Sequence, residues 1–289
     1  MYPWLDRSGR LSWLKLLVFI GLLAPGTWAA VNLALGTLGP RPIMEAIHEV
    51  GLWAIRFLFV ALAVTPLRQL LQWTPLVQLR RQIGVASFCY AFSHIILYTV
   101  DQSFDLWKVA SEIVLRIYLT IGFIALLGLT ALAITSTDGM IRRLGGKRWR
   151  RLHQTVYGIG VLACIHYFLQ SKADVGEATV MCGLYAWLMS YRVLMDWVIP
   201  KGKMMPIWIV ALLGVGSGFA TMLGEAGYFW FKRGIDPLRV LNANLSLNIG
   251  MRPGLAVLAI TLGLTLAVLV RMLAKSAARA RPRLASAGE

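Results

Sequence analysis

"RLHQTVYGIGVLACIHYFLQSKAD", residues 151–174, sets two histidines, His153 and His166, into a run that is otherwise almost wholly apolar. The run is close to the ~20 residues a helix needs to cross a bilayer. Seven further windows of the chain repeat the pattern. The eight lie at roughly 12–35, 46–66, 83–100, 113–134, 152–170, 178–199, 206–224 and 254–273. Backbone polar groups in lipid must be satisfied within their own segment, so each window reads as a helix. The expected fold is all-α: a polytopic membrane helix bundle of about eight transmembrane helices.

Composition agrees. Of 289 residues, 58% are hydrophobic and only 15% charged, where a soluble domain carries about 25% charge. The mean hydropathy is +0.66. The net charge of +16 would raise nucleic acid as a partner for a soluble protein. Here the distribution of that charge points to topology instead, and no nucleic-acid motif occurs. With the N-terminus inside, nineteen Lys and Arg fall on inner segments and seven on outer ones, with three in or beside spans. The positive-inside rule then places both termini in the cytoplasm. The densest segment is "STDGMIRRLGGKRWRRLH" (136–153). It serves as a topology anchor, and it also suits docking of an acidic or phosphate-bearing donor. The N-terminal 30 residues resemble a signal peptide, but the apolar run continues to Leu35 and suits an uncleaved first span. Cys89, Cys164 and Cys182 form no CxxC and read as small core residues. The stretch after Arg271, "KSAARARPRLASAGE", reads as a disordered polar tail.

An ionisable group inside a span marks function by default. Spans three and five run in the same direction. His94 lies about twelve residues into the third and His166 about fifteen into the fifth. At ~1.5 Å per residue their depths differ by only ~5 Å. Matched imidazoles on two helices suit a bis-histidine haem; two unrelated buried histidines are the plainer alternative. His153 lies ~20 Å further inward and ~140° around the helix from His166. The span-three positions that should oppose it hold Arg80 and Arg81. It is either a ligand of a second haem or an interfacial residue near a donor. His48 opens span two near the level of the pair, as an alternative ligand or a hydrogen bonder. Arg56 lies mid-span and should face a cofactor carboxylate, a phosphate or an acid at the helix end. Gly158 and Gly160 suit a macrocycle close to the backbone, and equally helix packing.

"HEVGLWAIRFLFVALAVTPLR" (48–68), "LRRQIGVASFCYAFSHIILYTV" (79–100) and "LTALAITSTDGMIRRLGGKRWRRLHQTVYGIGVLACIHYFLQSKAD" (129–174) resemble the ferric-reductase-like transmembrane family. The resemblance runs over about residues 10–200 and rests on TPLR, a lone span-three histidine, TST, RW..LH and HY. It implies a haem-binding domain over 1–200 and a two-helix C-terminal extension over 201–289. It implies b-type haem, one or two, on His94, His166 and His153, and FMN as a further cofactor. It implies electrons passing from quinone or a flavin-dependent reductase inside to a periplasmic molybdopterin subunit that reduces methionine sulfoxide, in a bacterial inner membrane. Related oxidases carry paired histidines on both helices and a soluble flavin and nicotinamide domain. This sequence has neither, which implies a separate donor. The resulting expectation is a membrane electron-transfer subunit, with a stand-alone ferric or cupric reductase and a haem-free transporter as alternatives. A metal reductase would want an outer metal-collecting site, and Asp101, Asp105, Asp174 and Glu177 are scattered. A transporter would show intramembrane acids and broken, symmetric helices.

Overall fold

In the computed structural model, residues 3–285 are described apart from 7, 172–173, 247 and 249, with side chains as far as Ser276. Arg7 and Lys172, counted above for charge, and the final residues 286–289 lie outside the described residues. The protein is an all-α, multi-pass membrane protein, and among the described residues eight helices are long and apolar enough to span a bilayer. Among the described residues the only extended pairing is a single bridge between Leu5 and Leu11.

The helices are α1 (Trp13–Leu35), α2 (Pro42–Leu71), α3 (Arg80–Asp101), α4 (Leu106–Leu115), α5 (Ile117–Ile134), α6 (Asp138–Leu144), α7 (Gly146–His153), α8 (Val156–Gln170), α9 (Gly176–Trp197), α10 (Ile207–Arg233), α11 (Pro237–Leu245) and α12 (Pro253–Ala285). The expected fourth span begins too early. The chain is extended at Arg116 (φ −106°, ψ 106°), which separates α4 from α5. Asp105 caps α4 by accepting a bond from the Lys108 N–H, and the Thr120 hydroxyl donates back across the break to the Ile113 carbonyl at 2.6 Å. The second span is longer than its apolar window and carries Pro66 inside it. After Arg271, where a disordered tail is expected, the backbone stays helical to Ala285; alanine and arginine are strong helix formers.

The chain forms two compact units. The first comprises residues 1–64 and 75–172. In it α1, α2 and α3 share a core of Leu22, Phe57, Ala61, Val64, Leu79 and Ile83. Lipid is as apolar as leucine, so apolar burial alone does little to hold such helices together; close packing and polar contacts must. Two such contacts stand out. The Tyr90 hydroxyl of α3 accepts from the Gly26 N–H at 2.6 Å and donates to the Leu22 carbonyl at 2.8 Å. It therefore stands in for a rung of the α1 ladder, beside Pro25, where the helix already lacks a donor. The fully buried Ser87 hydroxyl donates to the Ala54 carbonyl of α2 at 2.8 Å. Outward-facing Leu17, Ile20, Phe92, Ile124 and Leu127 are exposed, as lipid contact requires.

The second unit comprises residues 65–74 and 173–289. Here α9, α10 and α12 pack together. Gly183 of α9 lies so close to Thr221 and Val257 that any Cβ there would collide with them. A polar knot holds the helix ends. Glu225 of α10, 2% exposed, accepts from Arg252 at 2.5 Å and from the Asn244 amide at 2.6 Å, and Asn244 in turn accepts from the Gly254 N–H at 3.1 Å. A carboxylate this buried requires such partners.

Candidate functional site

His94 on α3 and His166 on α8 meet inside the first unit. Their ring centroids are 6.3 Å apart and the ring planes are nearly perpendicular, at 88°. Each ring is held from behind in the same way. The His94 Nδ1 lies 2.8 Å from the Ile47 carbonyl oxygen on α2. The His166 Nδ1 lies 2.7 Å from the Tyr118 carbonyl oxygen on α5. A carbonyl oxygen only accepts, so in the neutral ring Nδ1 carries the hydrogen and Nε2 keeps its lone pair. That is the tautomer of a metal-ligating histidine whose second nitrogen is fixed by an acceptor.

The spacing fits a metal between the rings. With a metal–imidazole bond of about 2.0–2.1 Å on each side, two imidazoles that share one metal place their ring centres about 6 Å apart. The observed 6.3 Å separation matches this, so the two rings would be able to hold a haem iron through their Nε2 atoms. Among the described residues no group of three or more His, Cys, Asp or Glu side chains gathers in metal-binding fashion.

The other sequence candidates lie apart from this pair. His153, at the end of α7, stacks on Trp149 at 4.0 Å, and its Nε2 lies 3.1 Å from the Thr135 hydroxyl. Trp149 Nε1 donates to the Thr135 carbonyl at 2.9 Å. Thr135 thus receives both Trp149 and His153 of α7. Thr137 caps α6, and Asp138 pairs with Arg81 at 2.6 Å. The remaining cations of this hairpin, Arg142, Arg143, Lys147, Arg148, Arg150 and Arg151, are exposed. His48 is exposed, one residue beyond the carbonyl that holds His94. The Arg56 guanidinium lies 4.8 Å over the Trp53 ring, and Trp53 donates to Glu49 at 3.1 Å. Gly158 is exposed and faces open space, while Gly160 is buried. At the start of α5, Arg116 bonds the Tyr118 hydroxyl at 3.0 Å and pairs with Glu112. The hydroxyl first, then the carboxylate, raises its pKa above the ordinary guanidinium value.

Sequence reading misses the groups behind the histidines. Two are backbone carbonyls, which no residue type advertises. The others are Gly51 and Gly122, each one helical turn beyond the accepting carbonyl. A Cβ on Gly51 would lie 2.7 Å from the His94 Nδ1, and one on Gly122 would lie 2.6 Å from the His166 Nδ1. A glycine in each neighbouring span, level with the histidine, was the available signal.

Comparison with known proteins agrees with this architecture. Residues 50–164 match the ferric reductase like transmembrane component family. A protein-methionine-sulfoxide reductase heme-binding subunit MsrQ of Rhodospirillum rubrum is 42% identical over 188 residues, which is 65% of this chain and 88% of the relative. The protein of the same name from Xanthomonas campestris pv. campestris (strain B100) is 41% identical over 175 residues, 60% of this chain and 80% of its own. That from Herminiimonas arsenicoxydans is 38% identical over 191 residues, 65% and 88%. No solved structure matches the chain. With identity of this level over most of each relative's length, the chain belongs to the MsrQ family of ferric-reductase-like transmembrane proteins.

Proposed function

We propose that this chain is the haem-binding membrane subunit of a methionine sulfoxide reductase system, in which His94 and His166 would hold a b-type haem. The supporting observation is the 6.3 Å pair of imidazoles, each held through Nδ1 by a helix carbonyl. The relatives' printed names point the same way. A haem held there supplies one-electron redox chemistry. The protein's part is to hold both Nε2 lone pairs in place, keep the pocket dry and so tune the potential.

Electrons enter, in this reading, from the quinone pool or a flavin reductase on the cytoplasmic side, and leave to a periplasmic molybdopterin subunit that repairs oxidised methionine. The chain sits in a bacterial inner membrane with both termini inside. Support comes from the charge census and from the exposed cations of α6 and α7. Residues 1–200 carry the haem-binding part and 201–289 an extension of two spans. A second haem at His153 requires its Nε2 to leave Thr135, or ligation through Nδ1. No step is assigned to FMN, for which no described residue stands out. His48, exposed one residue past the Ile47 carbonyl, would be a hydrogen bonder beside the pair, and Arg56, over the Trp53 ring, would face a cofactor carboxylate or phosphate.

The test is an absorption spectrum of the purified protein, oxidised and reduced, with a pyridine haemochrome count. Six-coordinate b haem is expected, and His94→Ala and His166→Ala should each abolish that signature in folded protein. Full, unchanged haem in both variants sinks the ligand assignment. A colourless protein from haem-replete cells sinks the whole proposal.

A further inference from the structure

From the repeated geometry behind the two imidazoles, we infer that Gly51 and Gly122 are positioning residues: together with the Ile47 and Tyr118 carbonyls they form two equivalent cradles that fix His94 and His166 as Nε2 ligands. The inference rests on the haem reading above but concerns residues that reading does not use.

The same arrangement occurs twice, on different helix pairs. On α2 the accepting residue is Ile47 and the glycine is Gly51. On α5 they are Tyr118 and Gly122. In both the glycine lies four residues after the acceptor, which puts it on the same face one turn on. In both the Nδ1 atom comes within 2.8 Å of the oxygen and within 2.7 Å of where a Cβ would stand. Real Cβ atoms do not approach a ring nitrogen so closely. Any side chain there must push the ring away from the carbonyl or pry the helices apart. Gly84, on α3 ten residues before His94, is different, since a Cβ there meets nothing within 4 Å. Gly26 and Gly128 are also tight, but against the Tyr90 hydroxyl and the Ile159 side chain; only Gly51 and Gly122 are closed by a histidine nitrogen.

An imidazole displaced from its carbonyl loses the bond that selects the tautomer. The Nε2–H form then competes, and that nitrogen can no longer ligate. Losing an outer-shell partner of this kind costs about 10–100-fold in metal affinity.

The experiment compares Gly51→Ala, Gly122→Ala and the control Gly84→Ala in the full-length protein. It reads haem per chain, spin state by electron paramagnetic resonance, midpoint potential, and helix content by circular dichroism. Each cradle variant should keep wild-type helicity, hold haem at least tenfold more weakly than the wild type, and shift from low-spin to high-spin signal. Gly84→Ala should match the wild type. Wild-type spin state, potential and haem affinity in both cradle variants overturn the inference while leaving the haem reading intact. If a variant does not assemble, ¹⁵N-histidine spectra of the haem-free wild type decide. Nδ1–H tautomers at His94 and His166 support the cradles, and Nε2–H tautomers overturn them. A wild type that binds no haem removes the functional reading, while those spectra still decide the cradles.

Discussion

At the scale of single residues, this protein uses backbone carbonyls as partners for side chains that lipid cannot solvate. His94, His166, Tyr90 and Ser87 all find a main-chain oxygen on another helix, and Trp149 finds that of Thr135 just past α5. Such bonds matter here because no water competes for them in the bilayer core. Thr135 shows the effect at the α7 junction, where its hydroxyl meets His153 and its carbonyl receives Trp149. Thr135→Val keeps the shape and removes only the hydroxyl. Its expected cost is about 1–2 kcal/mol, with faster proteolysis between Asp138 and His153 in detergent-solubilised protein. An unchanged melting temperature and cleavage rate would show that the hydroxyl holds nothing.

At the scale of elements, the short helices carry the geometry. The apolar windows made the eight spans legible, because lipid-spanning segments differ so strongly from connecting ones. The amphipathic α4, α6, α7 and α11 were not legible, since seven to ten residues give too weak a periodic signal. In α11 the buried face is Val240 and Asn244, and Asn244 belongs to the knot around Glu225. That knot ties α10, α11 and the start of α12. Glu225→Ala leaves Arg252 and Asn244 without their carboxylate in a buried place. The expected destabilisation is about 3–5 kcal/mol, seen as a lower melting temperature of the detergent-solubilised protein, with Glu225→Gln retaining part of it. A loss below about 1 kcal/mol would mean the pair barely offsets its own desolvation.

At the scale of the whole molecule, the proposed orientation rests on charge. Nineteen cations against seven is a large bias, and the six exposed ones on α6 and α7 lie within reach of span ends, where the rule acts. Green fluorescent protein fused at the C-terminus should fluoresce, and alkaline phosphatase inserted at residues 102–104 should be active. The opposite pattern would reverse the proposed direction of electron flow.

Sequence alone determined the number of spans, their helical form and the matched depth of His94 and His166. All three depend on hydrophobicity and the fixed rise of the helix, which are local properties. It could not determine which nitrogen of each ring is free. That depends on the Ile47 and Tyr118 carbonyls, 47 and 48 residues away along the chain. Nor could it show which group faces the His153 Nε2, since Thr135 becomes its neighbour only when α7 folds back. Only tertiary structure decides these points, because every residue carries a backbone carbonyl and packing alone selects which of them a side chain reaches.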